Sequence, residues 1–145
     1  TRLGTICLYK QELDEAEKAF ENALKHDSEN IGALHNLGII FLQKNDPDRA
    51  EQAFRTVYRL NPENPGACLM LAQVVARSPQ GISEAISLYN QAISIDPRNI
   101  QAYLDLGNLY LKRGDRVNAA RAVERAAQIN PADRNLRAQA DALKR

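Results

Sequence analysis

His26 and His35, a run of close carboxylates (Asp14, Glu15, Glu17) and a run of cations (Lys112, Arg113, Arg116, Arg121, Arg125) are the residues of this chain with most chemical reach. The two histidines fall on different predicted helices and no set of metal ligands is built around either, so no metal is expected. The three carboxylates sit where a helix is predicted to start, and the positive end of its dipole accounts for them there. The sequence contains no Gly-rich phosphate loop, no G-x-S-x-G and no H-E-x-x-H, the patterns that cradle phosphates, present a serine nucleophile or hold zinc. No cofactor follows from these residues, and they point away from an enzyme. In the basic run Arg121 and Arg125 are four apart and share a helix face. Nucleic-acid binding usually brings aromatic side chains beside such cations. Only Tyr103 and Tyr110 lie near in sequence, and Tyr110 is assigned to the core. The run reads as solvated surface or a docking edge, with no nucleic acid as partner.

The elements that carry these residues come from a repeat. Leu37-Gly38…Phe41…Ala50…Phe54…Val57…Pro62 lies over Leu106-Gly107…Tyr110…Ala119…Val123…Ala126…Pro131, and weaker copies stand before and between them. A period near 34 residues marks a solenoid, whose units bury their apolar faces only by stacking on neighbours. Four units are predicted, at about 1–30, 31–64, 65–99 and 100–133. Each is a helix-turn-helix: 1–10 with 13–26, 31–44 with 47–60, 65–77 with 82–95, and 100–112 with 115–128. An amphipathic helix over 133–144 closes the stack. Asn30, Asn64 and Asn99 fall where N-caps are needed, and Pro47 and Pro65 at first helical positions. Asn61-Pro62, Asp96-Pro97 and Asn130-Pro131 end second helices. Gly4, Gly38 and Gly107, with Ala72 in the third unit, sit inside helices, where glycine costs about 1 kcal/mol against alanine. Close helix approach explains them, with Ala16, Ala50, Ala85 and Ala119 as facing small residues. Phe20, Phe54, Tyr89 and Val123 would be the larger knobs between repeats. The third inter-helix turn, Ala76-Arg77-Ser78-Pro79-Gln80-Gly81-Ile82, carries one extra residue and reads as a tolerated insertion.

At 145 residues, 44% apolar and 26% charged, the chain suits one ordinary folded domain. A net charge of +1 argues against a general polyanion binder. The charge is uneven: residues 1–30 carry four cations and seven anions, residues 99–145 nine cations and five anions. Solvated helix faces are the first reading. Head-to-tail self-association through the acidic and basic ends is the second. Cys7 and Cys68 are predicted to face the core in different repeats, too far apart for a disulfide. Such thiols favour a reducing compartment, the cytoplasm first. No stretch approaches the ~18 apolar residues of a membrane span. The incomplete first unit suggests a piece of a longer protein.

Leu37-Gly38-x2-Phe41, Leu71-Ala72-x2-Val75 and Leu106-Gly107-x2-Tyr110, followed by Ala50-x3-Phe54, Ala85-x3-Tyr89 and Ala119-x3-Val123, resemble the tetratricopeptide repeat family. Leu3-Gly4 and Ala16-x3-Phe20 extend the match to the first unit. Leu34, Cys68 and Tyr103 stand where the family pattern has Trp, and Ser28 where it has Pro. The resemblance implies an all-α fold, a right-handed superhelix whose first helices line a groove for a partner's peptide. It places Arg2, Thr5, Tyr9, His35, Asn36, Ile39, Gln43, Leu69, Met70, Gln73, Arg77, Leu104, Asp105, Asn108 and Lys112 in that groove. Ile39, Leu69, Met70 and Leu104 would form an apolar centre, suited to a peptide anchored by one or two hydrophobic side chains. The carboxylate clamp of chaperone-binding members is not matched, because Thr1, Thr5, Gly66 and Met70 occupy four of its places. The asparagine ladder of sugar-transferring members has a rung at Asn36 but is broken by Met70 and Asp105. The expected function is a non-catalytic protein-interaction module, an adaptor or scaffold. The alternative is a targeting or regulatory segment of a larger enzyme, such as a glycosyltransferase.

Overall fold

Asparagine and aspartate set where the helices begin. In a computed structural model that describes the backbone of residues 2–145 and the side chains of residues 9–145, the Asn30 side chain accepts from Ala33 N at 2.9 Å. Asn64 accepts from Gly66 N at 2.8 Å, Asn99 from Ala102 N at 3.0 Å, and Asp115 from Asn118 N at 3.1 Å. Each such cap contributes about 1 kcal/mol. The described residues form eight α-helices: α1 (Arg2–His26), α2 (Ile31–Gln43), α3 (Pro47–Leu60), α4 (Pro65–Val75), α5 (Ile82–Ile95), α6 (Ile100–Lys112), α7 (Arg116–Ile129) and α8 (Arg134–Lys144). The all-α class and the helix limits from residue 31 onward agree with the sequence to within two residues.

The packing divides the chain into two compact units, Thr1–Pro62 and Glu63–Arg145. In the first, α1 packs on α2 and α2 on α3. Its buried side chains include Leu34, Leu37, Ile40 and Phe41 of α2, Ala50, Phe54 and Val57 of α3, and Leu13 of α1. In the second, the pairs α4–α5 and α6–α7 stack through α5 on α6, and α8 covers α7. That is the expected solenoid pattern with its closing helix, seen within one unit.

Residues 1–26 depart from the expected helix pair. The chain runs through the predicted turn at 11–12 as one helix of 25 residues. The other regular turns pass through a left-handed residue, Asn45 at φ 60° and Gly114 at φ 77°, followed by an N-cap aspartate, Asp46 or Asp115. The corresponding positions here are Gln11 and Glu12. Both are good helix formers, and neither suits the left-handed or N-cap role.

The glycines mark where helices touch, and the nearest atom across each contact belongs to the larger residue one turn beyond the expected alanine. A Cβ on Gly38 would lie 2.5 Å from the Phe54 ring, and one on Gly107 3.2 Å from Val123 Cγ2. Phe54 and Val123 therefore fill the space inside their own repeats instead of acting only between repeats. At Gly107 the Ala119 carbonyl oxygen, at 3.5 Å, and Ala122 Cβ, at 3.6 Å, come almost as close. Ala50, Ala85 and Ala119, all fully buried, allow the helices to come that close.

The irregular third turn is closely fitted. It forms a 3-10 turn over Pro79–Gly81, and Ser78 Oγ accepts from Gly81 N at 3.2 Å. A Cβ on Gly81 would sit 1.8 Å from the Val75 carbonyl oxygen. Backbone there cannot yield as a side chain can. Gly81→Ala is expected to destabilise by about 3 kcal/mol and Gly38→Ala by about 1–2 kcal/mol. Gly107→Ala should fall within about 1 kcal/mol of the parent, because helix propensity is regained. Urea unfolding followed by circular dichroism ranks the three, and equal midpoints would refute the close-approach account.

Candidate functional site

Gln101, Asp105, Asn108 and Lys112 stand at i, i+4, i+7 and i+11 on α6 and form one stripe. Asp105 organises it. Its Oδ1 accepts from Gln101 Nε2 at 2.8 Å. Its Oδ2 accepts from the Tyr89 hydroxyl at 3.3 Å and from Gln73 Nε2 at 3.4 Å. Tyr89 is 2% exposed, and a phenol buried so deeply needs a hydrogen-bond partner. Burial, and then the Asp105 charge, push the Tyr89 pKa far above its ordinary value. The hydroxyl therefore stays protonated and remains a donor. Gln73, Ala76, Tyr89, Asp105, Asn108, Leu109 and Lys112 line an open cleft of ≈ 270 Å³. Asn108 and Lys112 line that cleft and have no hydrogen-bond or ion-pair partner among the described residues.

The other groove candidates are distributed differently. Arg2 and Thr5, like Gly4 and Cys7, lie outside the described side chains. Tyr9 and Gln43 line a cleft of ≈ 540 Å³ with Lys10, Leu13, Asp14, Lys44 and Asn45. His35 sets its ring edge-on to Phe54, with centroids 6.2 Å apart, and so supports the core. Asn36 Nδ2 donates to Gly32 O of its own helix at 2.8 Å. Ile39, Leu69 and Met70 are half-buried, and Arg77 is exposed just beyond α4. Leu104, expected as an apolar anchor, packs on the Ala126–Ala127–Leu136 cluster between α7 and α8. Among the described residues no cluster of three or more His, Cys, Asp and Glu side chains could hold a metal ion, and no helix is long and apolar enough to cross a membrane. Cys68 is fully buried, and burial raises its thiol pKa.

A charge network that the sequence reading missed ties α1 to the α2–α3 turn. Lys44 Nζ bridges Asp14 Oδ1 at 2.5 Å and Glu17. Arg49 reaches Glu17 at 2.8 Å and Glu21 at 3.2 Å, and lies 4.0 Å above the Phe41 ring. Asp14, Glu15 and Glu17 stand in mid-helix, so the helix-dipole explanation fails. Asp14 and Glu17 are instead held by cations a repeat away, a pairing with no local signal in the sequence. Much of the acidic character of residues 1–30 is thereby matched internally. At the basic end Lys144 pairs with Glu124 at 2.8 Å, and Arg116 donates to the Ala142 and Leu143 carbonyls at 2.8 Å.

Three family models match the chain: one described as a tetratricopeptide repeat over residues 1–65, a TPR repeat over 81–114, and a further tetratricopeptide repeat over 100–133. No curated protein matches it by sequence. Among solved structures, MamA is 24% identical, with 88% of this chain and 74% of that one covered at a TM-score of 0.79. YrrB, described as a TPR protein with an unusual peptide-binding site, is 25% identical over 95% of this chain and 70% of its own, at a TM-score of 0.78. TTC0263, a thermophilic TPR protein in Thermus thermophilus, is 23% identical over 90% and 72%, at a TM-score of 0.67.

The Lys44 network has a defined pH window. The hydrogen bond from Lys44 holds Asp14 and Glu17 below the usual carboxylate range, and the same bonds raise Lys44. Carboxylates depressed on folding stabilise above their unfolded values, near 4, and lose that contribution as pH falls through the folded ones. Lys44 contributes below its unfolded value, near 10.4, and loses it as pH rises through the folded one. Glu17→Gln should lower stability near neutral pH by about 1 kcal/mol, discounted for the half-exposed partners, and should flatten the acid limb. Urea midpoints taken from acid to neutral pH check both effects.

Proposed function

The chain belongs to the tetratricopeptide repeat family, and on that premise we propose that it is a non-catalytic adaptor or scaffold module that holds a partner's peptide against the first helices of its repeats. The observation that carries this reading is the Asp105 cleft. An extended peptide offers alternating N–H and C=O groups along its backbone. Asp105 presents fixed acceptor lone pairs, Asn108 presents both a donor and an acceptor, and Lys112 adds a cation at the rim. Gln73 and Tyr89 hold the carboxylate in place, so little ordering cost falls on binding. YrrB's described peptide-binding site supports the same kind of ligand. At the acidic end Asp14, Glu17 and Glu21 are engaged by Lys44 and Arg49 of their own unit, which favours this face over head-to-tail association as the first site to test.

A peptide library panned on the protein, with the selected sequence titrated by fluorescence anisotropy, tests the proposal. Asn108→Ala should weaken binding about tenfold, the loss of one well-made hydrogen bond. Melting should not change, because Asn108 is exposed and has no partner among the described residues. Lys112→Ala should weaken capture of peptides carrying a carboxylate in that register. Undiminished binding by both variants would place the peptide elsewhere.

A further inference from the structure

α6 has a second face. Tyr103, Leu106 and Tyr110 follow at i, i+3 and i+7, on the opposite side from Asp105, Asn108 and Lys112. Two adjoining hollows open there. One, of ≈ 180 Å³, is lined by Asn90, Ile93, Tyr103, Tyr110, Arg121 and Arg125, among others. The other, of ≈ 390 Å³, is lined by Pro97, Arg98, Tyr103, Arg125, Gln128 and Ile129. Tyr103 and Arg125 line both, so the two hollows adjoin along α5, the α5–α6 loop, α6 and α7 and are taken together as one cleft. The Tyr103 hydroxyl donates to Pro97 O at 3.1 Å, which fixes its ring at the centre.

The cations in this cleft are unmatched. Arg98, Arg121 and Arg125 form no ion pair with any described residue. Arg125 makes only a long contact to Gln128, at 3.5 Å. Asp115 and Glu124 feel Arg121 and Arg125 through space but are engaged otherwise. Asp115 caps α7 and binds Asn118 Nδ2 at 2.6 Å, and Glu124 holds Lys144. Residues 63–145 carry eleven Lys and Arg against eight Asp and Glu, so this unit is cationic within a chain that is nearly neutral.

We propose that this cleft is a second docking site, distinct from the Asp105 face, and that it takes a short acidic segment of a partner protein in extended form. Guanidinium forks match carboxylates in bidentate geometry. Asn90, Gln128 and the tyrosines offer polar groups and apolar ring surface to the segment's backbone and stems. At about 3.3–3.6 Å per residue, a cleft of this size receives only a few residues of extended chain. Three clustered cations on a chain of net charge +1 form no long basic track of the kind a nucleic-acid backbone follows. Because the two clefts lie on opposite faces of α6, both ligands can be held at once.

The test uses fluorescein-labelled hexaglutamate, its hexaglutamine counterpart and an oligothymidylate, each titrated by anisotropy. Hexaglutamate should bind at least about tenfold more tightly than hexaglutamine, and should weaken as salt rises from about 0.05 to about 0.3 M. The pair Arg121→Gln with Arg125→Gln should reduce hexaglutamate binding about tenfold or more and leave the melting temperature unchanged. Arg134→Gln with Arg137→Gln, which removes equal charge from exposed positions on α8, should change it by no more than about twofold. Three results would each overturn the proposal: equal binding of hexaglutamine, equal losses from the two pairs of substitutions, or tighter binding of the oligothymidylate.

Discussion

The spacing between the two helices of a repeat depends on side-chain atoms that are absent. Gly38 has no Cβ where the Phe54 ring lies, Gly107 has none beside Val123, and fully buried alanines stand one turn before each. Without the clearance at Gly38 the α2 and α3 stripes would be pushed apart, while at Gly107, 3.2 Å from Val123, the neighbour has to yield only slightly. Burial yields about 25 cal/mol for each Å² removed from water, so a small separation along a whole helix outweighs the helix-propensity cost of a glycine. The clefts depend on a second spacing, between repeats. Tyr89 of α5 reaches Asp105, and Tyr103 reaches the Pro97 carbonyl, only while α5 and α6 remain in register.

Helix limits were legible because local chemistry determines them. Asn30, Asn64 and Asn99 act as caps, and Pro47 and Pro65 open their helices. The same local chemistry overrides the repeat at residues 11–12. The period calls for a turn there, but a turn needs a residue that tolerates positive φ and a short capping side chain after it. Gln11 and Glu12 provide neither, and the helix continues. Periodicity locates equivalent positions; the residues at those positions decide whether the structure follows.

The site was legible in one direction only. Asp105, Asn108 and Lys112 were placed in the groove by the resemblance to the repeat family, and helical spacing puts them on one stripe. The donors that fix Asp105 could not, because Gln73 and Tyr89 are 32 and 16 residues away. Leu104, half-buried on α6, packs against the cluster that Leu136 of α8 completes, a neighbour that helical spacing on α6 alone does not reveal. Tyr110 is intermediate. It is half-buried and yet lines the arginine cleft, so assigning it to the core concealed the aromatic neighbour that the basic run lacked.

Charge segregation across α6 connects these observations. Arg121 and Arg125 come from α7 on one side, and Asp105 is held on the other by neutral donors instead of by a cation. A salt bridge to Asp105 would have neutralised the carboxylate and fixed it within the protein. Two amides and a phenol orient it while leaving its charge intact, and with it an electrostatic preference at that face. The arginines, with no carboxylate bound, keep the opposite preference. A single helix of 13 residues thus separates a face that carries one carboxylate and one ammonium, Asp105 and Lys112, from a face whose charges are all arginines. An acidic segment meets a counter-charge without a competing carboxylate only on the second.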